Sequence, residues 1–457
     1  MARSTIFPEA PSELPLSSGN RRESALTLSI LNRVLTRYGP RDFAIRLWDG
    51  TVVPADPGMD TRFTLVLKQP GALRRMMLPP NELSLGEAYL DDDWDLEGDI
   101  LAAMRLGDVF EDVALGVGDL VGLTRQLMSL PKDRGVDGHG SAGRQRADLP
   151  GSEHSKDRDR KAISYHYDVG NDFFKLFLDK RMVYSCAYFP TGEEDLDSAQ
   201  EAKLDHTCRK LRLKPGERLL DIGCGWGAMI MHAAERYGVQ AMGITLSQNQ
   251  ADLANRRIAE AGLSDRCRAV VMDYRDVIAK GPFDKIVSVG MVEHVGKAKL
   301  PTYFKSAWQA LKPGGLFLNH GITAAARDKG SANPLDRYVF QRGAFIRKYV
   351  FPDGELIPVG DMDGIAERAG FEVRDVESLR EHYALTLKHW VERLEAHQEE
   401  AHQQVDERTY RVWRLYMAGC SHAFATARLS IHQTLFSKPD RSGQSHLPWS
   451  RIDLYNQ

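Results

Sequence analysis

One short stretch, a strand-like run that ends in three closely spaced glycines, constrains the fold of this 457-residue chain most strongly. Residues 218–222 predict a buried strand, Gly223, Gly225 and Gly227 follow it, and residues 228–237 have the apolar spacing of a helix. Glycines at such a junction permit a tight turn and let the backbone approach a ligand without a Cβ in the way. The three parts together predict the first unit of a nucleotide-binding α/β sheet.

The spacing of these glycines indicates which ligand the turn suits. It is G-x-G-x-G, whereas dinucleotide-binding sheets carry G-x-G-x-x-G. The difference favours S-adenosylmethionine (SAM), because SAM has no pyrophosphate to place at a helix N-terminus. From this stretch alone, an ordinary strand-to-helix turn that contains glycines is the less favoured alternative.

Strands and helices continue to alternate after the turn, which predicts a parallel sheet with right-handed crossovers. Further strands are expected at 240–246, 268–274, 283–291 and 316–322, with helices at 248–261 and 299–311. Ligands of such sheets bind at the carboxyl ends of the strands. One site is therefore expected among residues 223–227, 245–247, 273–275, 290–294 and 320–323.

The length of the chain predicts two or three domains. We expect a disordered lead over 1–24, a small domain over 25–130, a disordered linker over 131–160, the sheet domain over 161–440 and a tail over 441–457. In the small domain, the acidic residues between 91 and 95 are most simply a solvated turn. Near the end of the chain, helical patterns are predicted at 384–401 and 408–435, and residues 338–356 form an insertion rich in aromatic and basic residues.

Composition narrows the function further. The net charge of −3 argues against general nucleic-acid binding, and the five cysteines contain no C-x-x-C pair, which is typical of free thiols in a reducing compartment. No metal site is expected. The sequence shows neither a secretory leader pattern nor a run of 18 apolar residues, so we predict a cytoplasmic protein whose membrane contact is peripheral.

The chain resembles the cyclopropane-fatty-acid synthase family, including mycolic acid cyclopropane synthases and related lipid methyltransferases, from about residue 163 to residue 438. The shared segments are YHYDVGNDFF (165–174), YSCAYF (184–189), LLDIGCGWG (219–227), GITLSQNQ (243–250), DYRD (273–276), VSVGMVEHVG (287–296) and FIRKYVFPDGEL (345–356). The resemblance implies an α/β class I SAM-dependent methyltransferase with a Rossmann-like, mostly parallel sheet, helical lid insertions and a small α+β N-terminal domain.

The reaction implied by the resemblance is transfer of a methyl group from SAM to a cis double bond of a phospholipid acyl chain. An alkene is a weak nucleophile, so the two reactants must be held close in a site without water. The attack leaves a carbocation, and a base then removes a proton to close a cyclopropane ring. Aromatic faces stabilise cations, and the candidates for such a lining are Tyr165, Tyr167, Phe173, Phe174 and Tyr188.

The resemblance also implies the site residues. The base is a bound bicarbonate, whose ligands map onto Cys186, Glu293, His320, the backbone of Ile322, and Tyr383. Cys420 matches a cysteine proposed as a catalytic thiol; since a thiol in an apolar helix is usually inert, lining the acyl site is its second expected role. The SAM contacts are Tyr184, Ser185, Asp221, Gly223, Gly225, Gly227, Thr245, Ser247, Gln250, Tyr274 and Arg275, with Asp221 expected mainly to order the turn.

Departures from the family pattern leave the product open. Ala425, Ala427 and His432 stand where many synthases carry two arginines and a tryptophan, and residues 410–419 resemble a branch that installs a methylene or methyl branch instead of a ring. A small-molecule methyltransferase and a non-catalytic SAM- or lipid-binding protein would also share the glycine turn. The expected partners are a phospholipid bilayer, unsaturated acyl chains and, in a homodimer, a second copy of the chain, with no nucleic acid.

Overall fold

A computed structural model describes residues 18–108, 117–132, 143–167, 169–325 and 343–455. The chain divides into two units. The first unit takes its residues from Met1–Arg146, Asp328–Val350 and Asp406–His422. The second takes them from Ala147–Arg327, Phe351–Val405 and Ala423–Gln457.

The first unit is built on a small mixed sheet. Its strands are β1 (Phe43–Arg46), β2 (Val52–Val53), β3 (Phe63–Leu67) and β4 (Trp94–Gly98), in the order β2-β1-β3-β4. Strands β1 and β3 are parallel, and the remaining pairs are antiparallel. The α-helices of this unit are Ser18–Val34, Ala72–Met77, Glu82–Leu90, Ile100–Ala103, Val117–Met128, Ala344–Tyr349 and most of Glu407–Ala425.

The second unit contains a seven-stranded sheet, ordered β10-β11-β9-β8-β5-β6-β7. The strands are β5 (Arg218–Ile222), β6 (Gln240–Thr245), β7 (Cys267–Val271), β8 (Phe283–Val289), β9 (Leu311–Ala324), β10 (Glu372–Ser378) and β11 (Leu429–Ser437). Strands β5 to β9 pair in parallel, and β11 runs antiparallel to both β9 and β10. The predicted mostly parallel sheet is confirmed.

Helices cover both faces of this sheet. They are Lys156–Tyr167, Asn171–Phe177, Leu196–Lys210, Ala228–Tyr237, Gln248–Glu260, Leu300–Ala310, Val359–Arg368, Arg380–Ala396 and Gln398–Gln404. Because successive side chains of a strand point to opposite faces, Leu219 and Leu220 enter two different apolar clusters, and both are fully buried. This double burial is typical of parallel sheets. Among the described residues, none of the helices is both long and apolar enough to cross a bilayer.

The strand and helix around the glycine turn have the predicted bounds, 218–222 and 228–237. Ser247 caps the next helix as predicted, since its hydroxyl accepts a hydrogen bond from the Gln250 amide at 3.3 Å. Other strands end at residues that differ from the predicted ones. β7 ends at Val271, since a 3₁₀ turn begins at Tyr274, and β9 is longer than predicted at both ends.

The helix predicted over 408–435 is wrong in its last third. The helix ends at Ala425, where Ala427 adopts a left-handed conformation with φ of 57° and the Arg428 amide donates to the Ala423 carbonyl at 2.8 Å. This is a Schellman ending, in which glycine is the usual residue at the left-handed position. Alanine there gave no stop signal, so the strand β11 that follows was missed.

The described residues also correct the predicted lead and linker. The first helix begins at Ser18, within the predicted lead, and another begins at Lys156, within the predicted linker. The described part of the predicted tail, residues 441–455, is anchored, because Leu454 is buried and its carbonyl accepts from Arg209. Residues 1–17, 133–142 and 338–342, on which parts of the predicted lead, linker and insertion fall, lie outside the described residues.

Candidate functional site

A cavity opens at the carboxyl ends of β5, β6 and β8, and we call it the glycine-turn cavity. Of the residues predicted to contact SAM, its lining contains Tyr184, Ser185, Asp221, Gly223, Gly225, Thr245, Gln250, Tyr274 and Arg275. Gly227 and Ser247 do not line it. Sheet topology thus brings nine of the eleven predicted residues to one cavity at the expected edge.

The glycine turn is shaped by backbone that only glycine adopts easily. Gly223, Gly225 and Gly227 have φ values of 89°, 50° and 85°. The amides of Gly223 and Cys224 both donate to the Ile244 carbonyl at 2.9 Å, which ties the turn to β6. A Cβ on Gly225 would meet nothing within 4 Å, whereas one on Gly227 would lie 3.1 Å from the Ala254 Cβ. Gly225 therefore keeps the cavity wall open, and Gly227 permits helix packing.

Thr245, Ser247 and Gln250 form one hydrogen-bonded group after β6. The Thr245 hydroxyl donates to Gln250 Oε1 at 2.7 Å and accepts from the Ser247 amide at 3.2 Å. Thr245 and Gln250 line the cavity, while Ser247 caps the helix behind them. The role of Ser247 in the structure is thus to hold this wall in place.

Lys203 is a cavity residue that the sequence analysis missed. Its side chain is buried, lines the cavity together with Asp221, and donates to the Ser185 hydroxyl at 2.9 Å. Burial lowers the pKa of Lys203 to about 8 and raises that of Asp221 to about 7, and the attraction between the two charges opposes both shifts. Its signal in the sequence was a lysine on the apolar stripe of the helix Leu196–Lys210.

The Asp273–Arg275 segment forms another wall of the cavity. The Arg275 guanidinium pairs with Asp273 at 2.6 Å and with Asp159 at 2.8 Å, and its Cζ lies 5.1 Å from the centre of the Tyr274 ring. These contacts join the helix Lys156–Tyr167 to the turn after β7. Arg275 therefore braces the wall through the buried carboxylate of Asp273 and the partly buried carboxylate of Asp159.

A second group of polar residues adjoins this cavity; we call Cys186, Glu293, His320, Ile322, Tyr383 and Gln433 the polar cluster. Gly290 lines the cavity, and its amide donates to the His320 carbonyl at 2.8 Å. Glu293 Oε1 accepts from the Ile322 amide at 2.6 Å, whereas its buried Oε2 has no hydrogen-bond partner among the described residues. The Ile322 amide, predicted to hold an anion, thus holds the carboxylate.

His320 and Gln433 face each other across β9 and β11, where they are register partners. Gln433 Nε2 lies 3.2 Å from His320 Nδ1. Both side chains are buried, and His320 Nε2 and Gln433 Oε1 lack a hydrogen-bond partner within the described ranges. Gln433 was not predicted as a site residue, because β11 was interpreted as helix.

Cys186 and Tyr383 meet at the carbonyl of Leu379, where the helix Arg380–Ala396 begins. Cys186 Sγ lies 3.7 Å from this oxygen, to which the Tyr383 amide donates at 3.1 Å. The Leu379 amide in turn donates to the Ile431 carbonyl on β11 at 3.0 Å. These contacts connect Cys186 and the start of this helix to β11, the strand that pairs with His320 and Ile322 on β9.

Burial sets the protonation states of the polar cluster. It raises the pKa of Glu293 to about 7, and together with Lys203 and Lys210 it lowers the pKa of His320 well below the usual range. It also raises the pKa of the Cys186 thiol far above the usual range. The cluster thus combines a neutral imidazole, a protonated thiol and a carboxyl group that titrates near neutrality.

The five aromatic residues that were candidates for lining the acyl site lie in different parts of the structure. Tyr167 lines the cavity, and its ring centre lies 5.8 Å from that of Trp226. Phe173 and Phe174 are fully buried in the core, Tyr165 is half-buried on the helix Lys156–Tyr167, and Tyr188 stacks between His206 and His382 at 4.3 and 5.0 Å. Only Tyr167 of these five belongs to the described cavity lining.

Cys420 belongs to the first unit. Its side chain is buried in the helix Glu407–Ala425, and burial raises the pKa of its thiol to about 12. A thiol in this state stays protonated at neutral pH, which makes it a poor nucleophile.

Comparison with known proteins gives consistent results. The family described as "Mycolic acid cyclopropane synthetase" matches residues 154–434, and a "Domain of unknown function" family matches residues 30–107. A "Probable fatty acid methyltransferase" of Pseudomonas putida is 42% identical over 90% of this chain and 95% of its own. The "Cyclopropane-fatty-acyl-phospholipid synthase" of Escherichia coli K12 is 35% identical over 82% of this chain and 88% of its own.

A solved structure agrees with these matches. The mycolic acid cyclopropane synthase CmaA1, described as "complexed with SAH and CTAB", is 35% identical, with a TM-score of 0.57 over 61% of this chain and 97% of that one.

Proposed function

The chain belongs to the mycolic acid cyclopropane synthetase family and is a SAM-dependent methyltransferase, and we propose that it forms cyclopropane rings at cis double bonds of phospholipid acyl chains. The observation that carries the proposal is the polar cluster beside the glycine-turn cavity. There Glu293 Oε2 and His320 Nε2 are buried without a hydrogen-bond partner among the described residues. Buried polar atoms are rarely left in this state unless a ligand or water completes them.

The donor set of the glycine-turn cavity fits SAM. Its wall combines a buried ammonium group (Lys203), a buried carboxyl group (Asp221) and the open backbone of Gly225. These groups complement the carboxylate and ammonium groups of an amino-acid ligand, and Thr245 and Gln250 offer further hydrogen bonds. Bound there, SAM supplies an electrophilic methyl group.

The polar cluster fits bicarbonate in the same way. Among the described residues His320 Nε2 has no hydrogen-bond partner, and burial keeps the Cys186 thiol protonated. The Tyr383 amide donates to the Leu379 carbonyl that this thiol approaches. Bicarbonate would supply the base for the acyl chain. Glu293 is suited to accept a proton at Oε2, because its pKa of about 7 matches neutral pH. The Ile322 amide holds the opposite oxygen of this carboxylate.

A second product is favoured by one comparison. The relative with 42% identity carries the name fatty acid methyltransferase, whereas the relative named as a cyclopropane synthase is 35% identical. Loss of a different proton from the same cation leaves an exocyclic methylene group instead of a ring. Methylene transfer to the same double bond is therefore the second candidate.

The proposal includes contact with a membrane surface from the cytoplasmic side, since the double bond of a phospholipid lies among the acyl chains of a bilayer. In this proposal the domain over 25–130 assists docking or formation of a homodimer. Deletion of residues 1–130 should reduce turnover on liposomes, and full turnover by the truncated protein would refute this role.

The test uses purified protein, SAM and liposomes of a cis-monounsaturated phospholipid, with the extracted lipid examined by proton NMR. Upfield ring protons are the expected result. Vinylidene protons without ring signals would establish the methylene product, which mass spectrometry cannot distinguish because the two products are isomers. Liposomes of a saturated phospholipid are the control, and unchanged unsaturated lipid would contradict the proposal.

A further inference from the structure

Gln433 is a buried amide at the edge of the polar cluster that the proposed chemistry does not yet use. It lies on β11 directly opposite His320 on β9, and its side chain is fully buried. Gln433 Nε2 is 3.2 Å from His320 Nδ1, and Gln433 Oε1 has no partner among the described residues. Strand register therefore places a primary amide against one nitrogen of the imidazole.

The contact determines where the imidazole proton lies. In this orientation of the amide, Gln433 Nε2 faces the ring, and because an amide nitrogen only donates hydrogen bonds, His320 Nδ1 accepts. A neutral imidazole that accepts at Nδ1 carries its proton on Nε2. His320 Nε2 then presents an N–H group, and this nitrogen is buried without a partner in the described part of the chain. Such a group can donate to a ligand in the polar cluster.

Burial first, and then the positive charges around it, lower the pKa of His320 and keep the imidazole neutral. Lys203, Lys210 and His206, all on the helix Leu196–Lys210, disfavour a second proton. Glu377 on β10 favours one, but this carboxylate already pairs with Lys210 at 2.6 Å and with His206 at 2.8 Å. The donor at Nε2 thus comes from the tautomer of His320 and needs no positive charge.

We propose that Gln433 is a positioning residue that fixes His320 as the Nε2–H tautomer, so that Nε2 donates to the anion held in the polar cluster. The assignment of that anion as bicarbonate rests on the proposed function. The position of the proton does not, because it is inferred from the orientation of the Gln433 amide toward His320. Fixing the tautomer of a histidine through its second nitrogen is a general way to orient it toward a ligand.

Two variants of Gln433 test this role, one by introducing a hydrogen-bond acceptor and the other by removing the hydrogen bond to His320. Gln433→Glu, measured at a pH at which the new carboxyl group is ionised, replaces the donor by an acceptor, which favours a proton on Nδ1 and, in a neutral imidazole, removes the donor at Nε2. Gln433→Met keeps the length of the side chain but makes neither hydrogen bond, and should leave a mixture of tautomers. Thr434→Val is the control, since Thr434 is the adjacent buried residue on the opposite face of β11.

The primary readout is long-range proton–nitrogen NMR of full-length protein labelled with ¹⁵N-histidine, with the His320 signals assigned from their absence in His320→Gln. We expect the Nε2–H tautomer in the wild type and in Thr434→Val, and the Nδ1–H tautomer in Gln433→Glu. An Nδ1–H tautomer in the wild type, or an unchanged tautomer in Gln433→Glu, would overturn the proposal.

Kinetics on liposomes give a second readout. Gln433→Glu should lower kcat by roughly 10–100-fold, the usual effect of losing a group that orients a ligand-binding histidine, and should leave the KM for SAM nearly unchanged. A rise in that KM without loss of kcat would count against the role. If the wild-type protein modified no lipid, the proposed function would fail, and the NMR result would still decide the role of Gln433.

Discussion

The two units of the molecule each contain a buried polar group of residues, and the groups differ in how completely they are paired. In the first unit, every guanidinium nitrogen of Arg411 donates: Nε to Glu407, Nη1 to the Tyr89 carbonyl, and Nη2 to Asp92 and Asp95, all at 2.7–2.8 Å. In the second unit, the polar cluster leaves Glu293 Oε2, His320 Nε2 and Gln433 Oε1 without partners in the described ranges.

The first of these groups, which we call the arginine network, corrects the sequence interpretation of residues 91–95 as a solvated turn. Asp93 is fully buried and pairs with Arg75, while Arg408 pairs with Asp91 at 2.7 Å. Asp91, Asp92 and Asp95 pair with arginines of the helix Glu407–Ala425, which lie more than 300 positions later in the chain. The acidic run at residues 91–95 therefore gave no local signal that arginines would pair with it.

The difference separates a structural polar group from a functional one. The Arg411 guanidinium, whose three nitrogens all donate, rigidifies the fold, and breaking such a satisfied group costs stability. Elsewhere in the same network Nη1 and Nη2 of Arg75 have no hydrogen-bond partner among the described residues. A buried group left incomplete costs free energy in the unliganded fold, and it is retained where a ligand completes it. We therefore expect substitutions in the arginine network to affect stability, and substitutions in the polar cluster to affect turnover.

The largest expected effect is on turnover in Glu293→Gln. The amide cannot accept a proton as the carboxylate does, so kcat should fall by about 10²–10⁴-fold, the range for loss of a general base. SAM binding measured by calorimetry should be unchanged, because Glu293 does not line the described cavity. Turnover like that of the wild type would remove Glu293 from the mechanism.

The next effect is on stability in Arg411→Met. Removal of the guanidinium leaves the Tyr89 carbonyl without this donor and leaves Asp92 and Asp95 with Lys68 as their remaining ion-pair partner. Because both carboxylates are partly exposed, we expect a loss of about 1–3 kcal/mol in the free energy of unfolding. Urea denaturation followed by circular dichroism measures this loss. In Arg46→Met, which breaks the exposed pair with Glu97, the change should stay within about 0.5 kcal/mol. Equal effects in the two variants would contradict the structural role of the arginine network.

The smallest effect is a pH dependence of stability caused by Glu293. Its pKa is raised from 4.5 to about 7 in the folded protein, so the folded state binds a proton that the unfolded state has released. This contribution is present below about pH 4.5 and is lost as the pH rises toward 7. At about pH 8, Glu293→Gln should therefore be more stable than the wild type by about 1–3 kcal/mol.

Thermal unfolding of the wild type and Glu293→Gln across this pH range measures the difference, which should vanish near pH 4.5. A difference that does not vary with pH would show that the carboxyl group is not buried as described.

Local signals decided which parts of this structure could be predicted from the sequence. The run 218–222, the glycines after it and the cap at Ser247 act within a few residues, and their predicted bounds agree with the structure. β11 was missed because Ala427 ends the helix before it without the usual glycine. Because of that error Gln433 was not recognised as a site residue. Its partner His320 lies on β9, which is adjacent to β11 in the sheet but far from it in the sequence.

The remaining site residues could not be predicted because their contacts join positions that are far apart in the sequence. Lys203 gave only the weak signal of a charge on an apolar helical stripe, and its contact with Ser185 depends on the fold. Five residues are proposed as bicarbonate ligands through family resemblance, since their spacing alone does not predict a shared site: Cys186, Glu293, His320, Ile322 and Tyr383. The structure additionally shows which polar atoms of these residues have hydrogen-bond partners.

The central claim is that the polar cluster is completed by a bound anion. The most direct measurement compares turnover on unsaturated liposomes in buffer freed of carbon dioxide with turnover after bicarbonate is added back, for the wild type and for Glu293→Gln. We predict that wild-type turnover falls when bicarbonate is removed and recovers with its addition, whereas the variant stays slow in both conditions. Full wild-type turnover without bicarbonate would contradict the account.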